Sequence, residues 1–209
     1  MTAGVVVSAA VEGTVDEVAL RRICSLLGAG LGDVYGRKGK GFVLDRLPGY
    51  NNSARHRHWV VLVDLDNDFP CAPDAVRGWL EAPAELMCFR VAVREIESWL
   101  MADRERLAAF LDVRQDLVPE DPDGLADPKR ALIELARSSG NRDIRDDIVP
   151  DPSAGGSEGP GYTGRMIEFI TCDDRSWRPD VAASASPSLR KCLASVAELV
   201  QKPYPPARN

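Results

Sequence analysis

Imidazole is scarce in this chain: two histidines in 209 residues, both within His56–His58. His56 and His58 could form a metal pair, but no third ligand lies nearby, so the sequence does not support a zinc site. The five cysteines, Cys24, Cys71, Cys88, Cys172 and Cys192, are scattered, with no CxxC pair. An odd, unclustered set argues against a disulfide frame and reads as reduced thiols in a cytoplasmic protein. Aromatic residues make up only 6% of the chain. No apolar run reaches the roughly 18 residues of a membrane span, and Met1–Gly4 carries no basic residue of the kind that opens a signal peptide. A Gly-x-x-x-x-Gly-Lys-Ser/Thr phosphate loop is also missing. Excess positive charge is missing too: the net charge is −6, which argues against bulk electrostatic capture of nucleic acid but leaves room for a local basic groove.

What is present is a hydrophobic fraction of 44%, enough for a real core, arranged as alternating strand and helix signals. Strands are expected at about Val5–Ala10, Asp33–Tyr35, Trp59–Val63 and Leu86–Val93. Helices are expected at Val15–Leu27, from Pro73 to about Leu80, and from Arg94 to Leu111 in two pieces with Asp103 as a cap between them. Residues 36–58 read as a polar, glycine-bearing connection with a short helix near Phe42–Leu47. Further helices are expected at Pro128–Arg137, Tyr162–Ile170 and Pro187–Val200. Gly, Ser, Pro and Asp crowd residues 138–160, which reads as the most mobile segment. This pattern predicts an α/β fold: a mostly parallel central sheet with helices on both faces, followed by C-terminal helical segments. The expected organisation is a core over residues 1–111, a helical, loop-rich extension over 112–202 packed on it, and a loose tail over 203–209.

Carboxylates follow three of the apolar runs. Glu12-Gly13 ends the first. Asp64-Leu65-Asp66-Asn67-Asp68 ends the run Trp59–Val63. Glu95 and Glu97 follow Leu86–Val93. In an open parallel sheet the strand C-termini share one edge, so these acids are expected to gather there. Several carboxylates at one edge call for a cation, and a hard ion such as Mg²⁺ prefers oxygen ligands. Asp64 and Asp66 stand two apart, so in an extended segment both side chains face one way. Each group also has a plain reading. Glu12 suits a helix start, the aspartates suit a polar turn, and Glu95 and Glu97 suit a solvated first turn, with one of the two facing the site.

One stretch is basic. Residues 37–58 hold Arg37, Lys38, Lys40, Arg46, Arg55 and Arg57 against a single Asp45. Such a loop can follow a phosphate backbone, and equally can be a solvated connection.

The order Val11-Glu12-Gly13-x-x-Asp16-Glu17, then Val61-Leu62-Val63-Asp64-Leu65-Asp66, resembles the Toprim fold of topoisomerases, primases and OLD-type nucleases. Arg94–Asp103, Asp127-Pro128-Lys129 and Ser186-Pro187-Ser188 are similar to segments of a small stand-alone bacterial Toprim-like family of unknown function. The resemblance spans about residues 5–200. It implies Glu12 as general acid or base, and Glu12 together with Asp64 and Asp66 as ligands of Mg²⁺ or Mn²⁺. Either Glu95 or Glu97 would complete a second metal position and Lys129 would contact phosphate, while Asp68, at the same two-residue period as Asp64 and Asp66, is a further metal candidate by spacing. It also implies a role in bacterial defence or mobile-element biology. OLD-type nucleases work with an attached ATPase, which this chain does not carry. The expected activity is therefore a metal-dependent nuclease on DNA or RNA, acting alone or with a separate ATPase. The alternative is a non-catalytic partner subunit that keeps the scaffold and binds an ATPase or other protein.

Overall fold

In the computed structural model, which describes residues 4–153, 155–172 and 175–204, strands and helices alternate as far as Ala92. They are β1 (Val6–Val11), α1 (Thr14–Leu26), β2 (Gly30–Gly36), α2 (Lys40–Ser53), β3 (Trp59–Asp64), α3 (Ala72–Trp79) and β4 (Met87–Ala92). Helices then take over: α4 (Ile96–Met101), α5 (Arg104–Leu111), α6 (Pro128–Arg137), α7 (Arg142–Ile148), α8 (Tyr162–Thr171), α9 (Pro179–Ala182) and α10 (Pro187–Gln201). The chain divides into two compact units, Met1–Val93 with Arg190–Asn209, and Arg94–Leu189. These cuts differ from the boundary expected at residues 111/112. The reason is that α4 and the start of α5 are tied to the segment just before α9. Trp177 Nε1–H donates to the Trp99 carbonyl at 3.0 Å, and Arg178 holds Asp103.

The first unit is built on a four-stranded, wholly parallel sheet in the order β2-β1-β3-β4. Parallel strands need crossover helices, and these crossovers are right-handed almost without exception. From β1 the chain steps outward to β2. It then passes back over β1 to β3 and onward to β4. Opposite steps with one handedness put α1 on one face and α2 and α3 on the other. The core agrees: Val43, Leu47 and Tyr50 of α2 and Ala75 of α3 join Ala10, Val61 and Val63 in one apolar cluster. The inner strands β1 and β3 are buried along almost their whole length, as their unbroken apolar runs require.

Two elements depart from expectation. β2 spans Gly30–Gly36, and most of residues 37–58 is the helix α2 (Lys40–Ser53), not a loop. Val43, Leu47 and Tyr50, at helical spacing, supply its buried stripe. Pro48-Gly49 in its interior hides that stripe from a propensity reading. At the C-terminus, Cys192, Val196 and Leu199 of α10 are buried. His58 Nε2 lies 2.9 Å from the Lys202 carbonyl, and Tyr204 Oη–H donates to the Val6 carbonyl at 3.3 Å. The tail expected to be loose is therefore anchored through Tyr204, and residues 205–209 lie outside the described residues.

The second unit is helical, with Trp99, Trp177 and Phe169 fully buried. Asp103 stands before α5 but does not cap it. Its carboxylate accepts from Arg178 Nε and Nη2 at 3.0 and 2.7 Å, and from the Arg178 backbone N–H at 2.9 Å. Ser186-Pro187-Ser188 opens α10, and both serines are tied to Asp123, at 2.8 and 2.9 Å. The segment 138–160, expected to be mobile, contains α7, capped by Asn141. It closes through the Gly159 N–H on the Ile148 carbonyl at 2.9 Å, and Ala154 lies outside the described residues. Among the described residues no helix is long and apolar enough to cross a membrane.

Candidate functional site

The topology fixes where a site belongs. After β1 the chain turns to one face, and after the neighbouring β3 it turns to the other. Loops that part in this way leave a crevice beyond the strand C-termini. Glu12 directly follows β1, and Asp64 is the last residue of β3. Glu12 Oε1 accepts the Asp64 backbone N–H at 2.8 Å, so this carboxylate bridges the two strand ends.

A third segment is stitched over the same edge. Gly36 ends β2 at φ +92°, and a Cβ there would stand 2.2 Å from the Val11 carbonyl oxygen, so only glycine fits. The Arg37 N–H then donates to the Val11 carbonyl at 2.8 Å, and the Gly39 N–H donates to the Glu12 carbonyl at 3.0 Å. This places Lys40, the first residue of α2, over the acids. Its Nζ lies 2.5 Å from Asp66 Oδ2 and 2.7 Å from Asp68 Oδ2. Gly13, by contrast, is in ordinary extended conformation, and its N–H donates to Asp16 Oδ2 at 2.9 Å.

The acids do not line one extended face. The strand stops at Asp64, the Leu65 side chain is buried, and Asp66 adopts a left-handed φ of +47°. The alternation expected for Asp64 and Asp66 therefore breaks. A turn, closed by the Asp68 N–H on the Leu65 carbonyl at 3.2 Å, brings Asp66 and Asp68 to Lys40 instead. Burial pushes the Glu12 carboxyl up to about 7. The Asp64 N–H and the Lys40 charge pull it down, and Asp66 and Asp68 push it up again. Burial works against the Lys40 charge, yet its bonds to Asp66 and Asp68 hold its pKa above the ordinary lysine value.

Among the described residues no group of three or more His, Cys, Asp or Glu stands arranged to hold a metal ion. The donor chemistry of this edge nonetheless suits a hard cation, being all carboxylate, and a positive group already sits in it: the Lys40 ammonium.

The basic residues separate. Arg37 pairs with Glu17 at 2.8 Å, and Lys38 and Arg46 border a cleft beside α2. Arg55 and Arg57 lie in the turn leading into β3, at the opposite end of the sheet from Asp64.

In the second unit, Glu95 and Glu97 meet Lys129. Glu95 Oε2 accepts the Lys129 backbone N–H at 2.8 Å, and Glu97 Oε1 accepts from Tyr162 Oη–H at 2.8 Å. Lys129 Nζ pairs with Glu158 and stands 4.7 Å from the centre of the Tyr162 ring. Burial raises the Glu97 pKa, opposed by the Tyr162 hydrogen bond. The Asp127-Pro128-Lys129 segment starts α6, with Asp127 accepting the Arg130 N–H at 2.8 Å. Glu158 and Tyr162 carry no sequence signal for this cluster. Lys40 and Gly36 do: a parallel β2 ending at Gly36 brings the next residues to the strand edge that holds the acids.

A parallel α/β unit with a carboxylate–lysine cluster at its topological switch point, alternating in sequence with a helical unit, is the class these features define. Compared with known protein families, curated proteins and solved structures, the chain has no match.

Proposed function

We propose that the chain is a Toprim-like, Mg²⁺- or Mn²⁺-dependent nuclease or related phosphodiester-processing protein acting on DNA or RNA. The observation that carries this is the bond from Glu12 to the Asp64 backbone at the switch-point edge, with Asp66 and Asp68 beside it. Asp64, Asp66 and Asp68 would hold the cation, the aspartates releasing Lys40. When bound, the ion supplies positive charge for the phosphate oxygens. Glu12, with a proton affinity near neutrality, suits proton exchange with the attacking water or the leaving oxygen. A cytoplasmic setting accords with five free thiols, and a defence or mobile-element role rests on the resemblance alone.

One observation favours a second reading. Lys40 already pairs with two of the acids, as it would in a structural cluster of a non-catalytic subunit that binds an ATPase or other protein. A single experiment separates the two. The purified chain is incubated with Mg²⁺ or Mn²⁺ and mixed DNA and RNA. On the nuclease reading it cleaves, and Glu12→Gln or Asp64→Ala each lowers the rate by about 100-fold or more. Cleavage that survives both changes overturns the site, and no cleavage under any condition favours the subunit reading.

A further inference from the structure

Beside α2 lies a cleft of about 790 Å³, within the range of small-molecule sites. Its lining concentrates what this aromatic-poor chain has. Tyr35, Trp59 and Tyr50 form a compact three-ring cluster, with Trp59 5.5 Å from Tyr35 and 5.0 Å from Tyr50 at interplanar angles of 25° and 22°, and Tyr35 6.2 Å from Tyr50 at 38°. Trp59 and Tyr50 are buried, but Tyr35 is 45% exposed, so the cluster opens to solvent at Tyr35. Phe42 is flanked by cations, Arg46 Cζ at 3.6 Å and Lys38 Nζ at 5.1 Å from its ring centre. Arg37, Lys38 and Arg46 face a single acid, Asp45, on the lining, against the negative charge of the chain as a whole. Trp59 also carries a buried Nε1–H with no acceptor among the described residues.

The cleft and the carboxylate edge share one loop. Gly36, Arg37 and Lys38 line the cleft. The next two residues reach the other site, Gly39 through the Glu12 carbonyl and Lys40 through Asp66 and Asp68. An exposed tyrosine ring with cations around it fits a flat ring carrying phosphate. Within a duplex the base faces are stacked and closed to such a surface, whereas an unpaired strand offers them.

We propose that this cleft seats an unpaired base of a single-stranded polynucleotide on Tyr35, with Lys38 and Arg46 on the flanking phosphates. The proposal rests on the phosphodiester reading above and names its substrate as single-stranded. The test is binding of the full chain in EDTA, by fluorescence anisotropy, to a labelled mixed-sequence oligonucleotide and to the same strand annealed to its complement, in DNA and RNA forms. Single strands should bind about ten-fold tighter than duplex. Tyr35→Ala should weaken single-strand binding about ten-fold and leave duplex binding unchanged, while Tyr35→Phe keeps the parent affinity. Lys38→Ala should weaken both and flatten the salt dependence. If Tyr35→Ala does not fold, as judged by circular dichroism, Tyr35→Leu replaces it with the same expectation. Equal affinity for single strand and duplex, no binding to either, or an unaffected Tyr35→Ala overturns the proposal. Binding is scored without metal and cleavage with it, so the failure of one reading is distinguishable from the failure of the other.

Discussion

Glu12 concentrates the electrostatics of the site in one side chain. Its carboxyl is pushed from 4.5 to about 7, chiefly by burial. The native state therefore binds a proton more tightly than the unfolded chain. The stabilisation this gives is complete below pH 4.5 and is lost as pH rises through 7. A glutamine keeps the Oε1 acceptor for the Asp64 N–H and cannot ionise. Glu12→Gln should therefore be more stable than the parent at pH 8, by about 2 kcal/mol, and equal to it near pH 4. Urea unfolding at the two pH values checks this, and a variant that is less stable at pH 8 would show that Glu12 is ionised and well paired there. Lys40 permits a second measurement. If a divalent cation competes with its ammonium, Lys40→Met should raise Mg²⁺ affinity on the order of ten-fold, because a positive charge leaves the site. Calorimetric titration with Mg²⁺ alone reads this, and unchanged affinity would place the ion elsewhere. The variant itself should lose only about 1 kcal/mol, since Asp66 and Asp68 are half exposed.

At the scale of elements, the loop from β2 to α2 does the positioning, and its two left-handed glycines differ in a way that can be measured. Both Gly36 and Gly39 have positive φ, +92° and +83°. A methyl at Gly36 would strike the Val11 carbonyl oxygen, whereas at Gly39 it would meet nothing within 4 Å. Gly39, at φ +83° and ψ 169°, lies in a region almost reserved for glycine, so Gly39→Ala should cost about 2 kcal/mol of backbone strain with no clash added. Gly36→Ala should cost about 3 kcal/mol or more, because β1 and β2 must part to admit it, and thermal melts of the two variants should separate accordingly. The sequence made β1, β3 and β4 legible through their apolar runs, and the acids at the ends of β1 and β3 followed from them, whereas β2 (Gly30–Gly36) has no such run and extends beyond the expected Asp33–Tyr35. It also located α6 to the residue, because Asp127 and Pro128 mark its start by cap chemistry. It did not disclose α2, where Pro48-Gly49 interrupts a stripe whose burial is decided by the sheet beneath it. Nor did it disclose the turn at Asp66, because a left-handed aspartate looks no different in sequence from an extended one. The pairing of Lys40 with Asp66 and Asp68 spans 26 and 28 residues, and only the order of the strands brings it about.

Over the whole molecule, the first unit is discontinuous: residues 94–189 are inserted before its last helical segment returns. That segment fills the first unit's interior, since Cys192 and Val196 are fully buried and Leu199 nearly so. The Cys88 thiol is pushed up to about 12 and the Cys192 thiol higher still, both by burial, so these cysteines act as packing groups and not as reactive thiols. The end of the chain then closes on the start of two inner strands, with Lys202 against His58 and Tyr204 against Val6. A chain stopped after Leu189 would expose the surface that Cys192, Val196 and Leu199 cover, losing on the order of 5 kcal/mol of burial. Typical domains hold only about 5–15 kcal/mol in reserve. The truncated protein should therefore bind a hydrophobic dye and lose its cooperative melt. A sharp, parent-like transition after truncation at Leu189 would mean that the strands and α1 to α3 suffice for the core. The switch-point site would then be independent of the chain's return. The expected loss would instead make the carboxylate edge dependent on the last helix, although that helix supplies no residue to it.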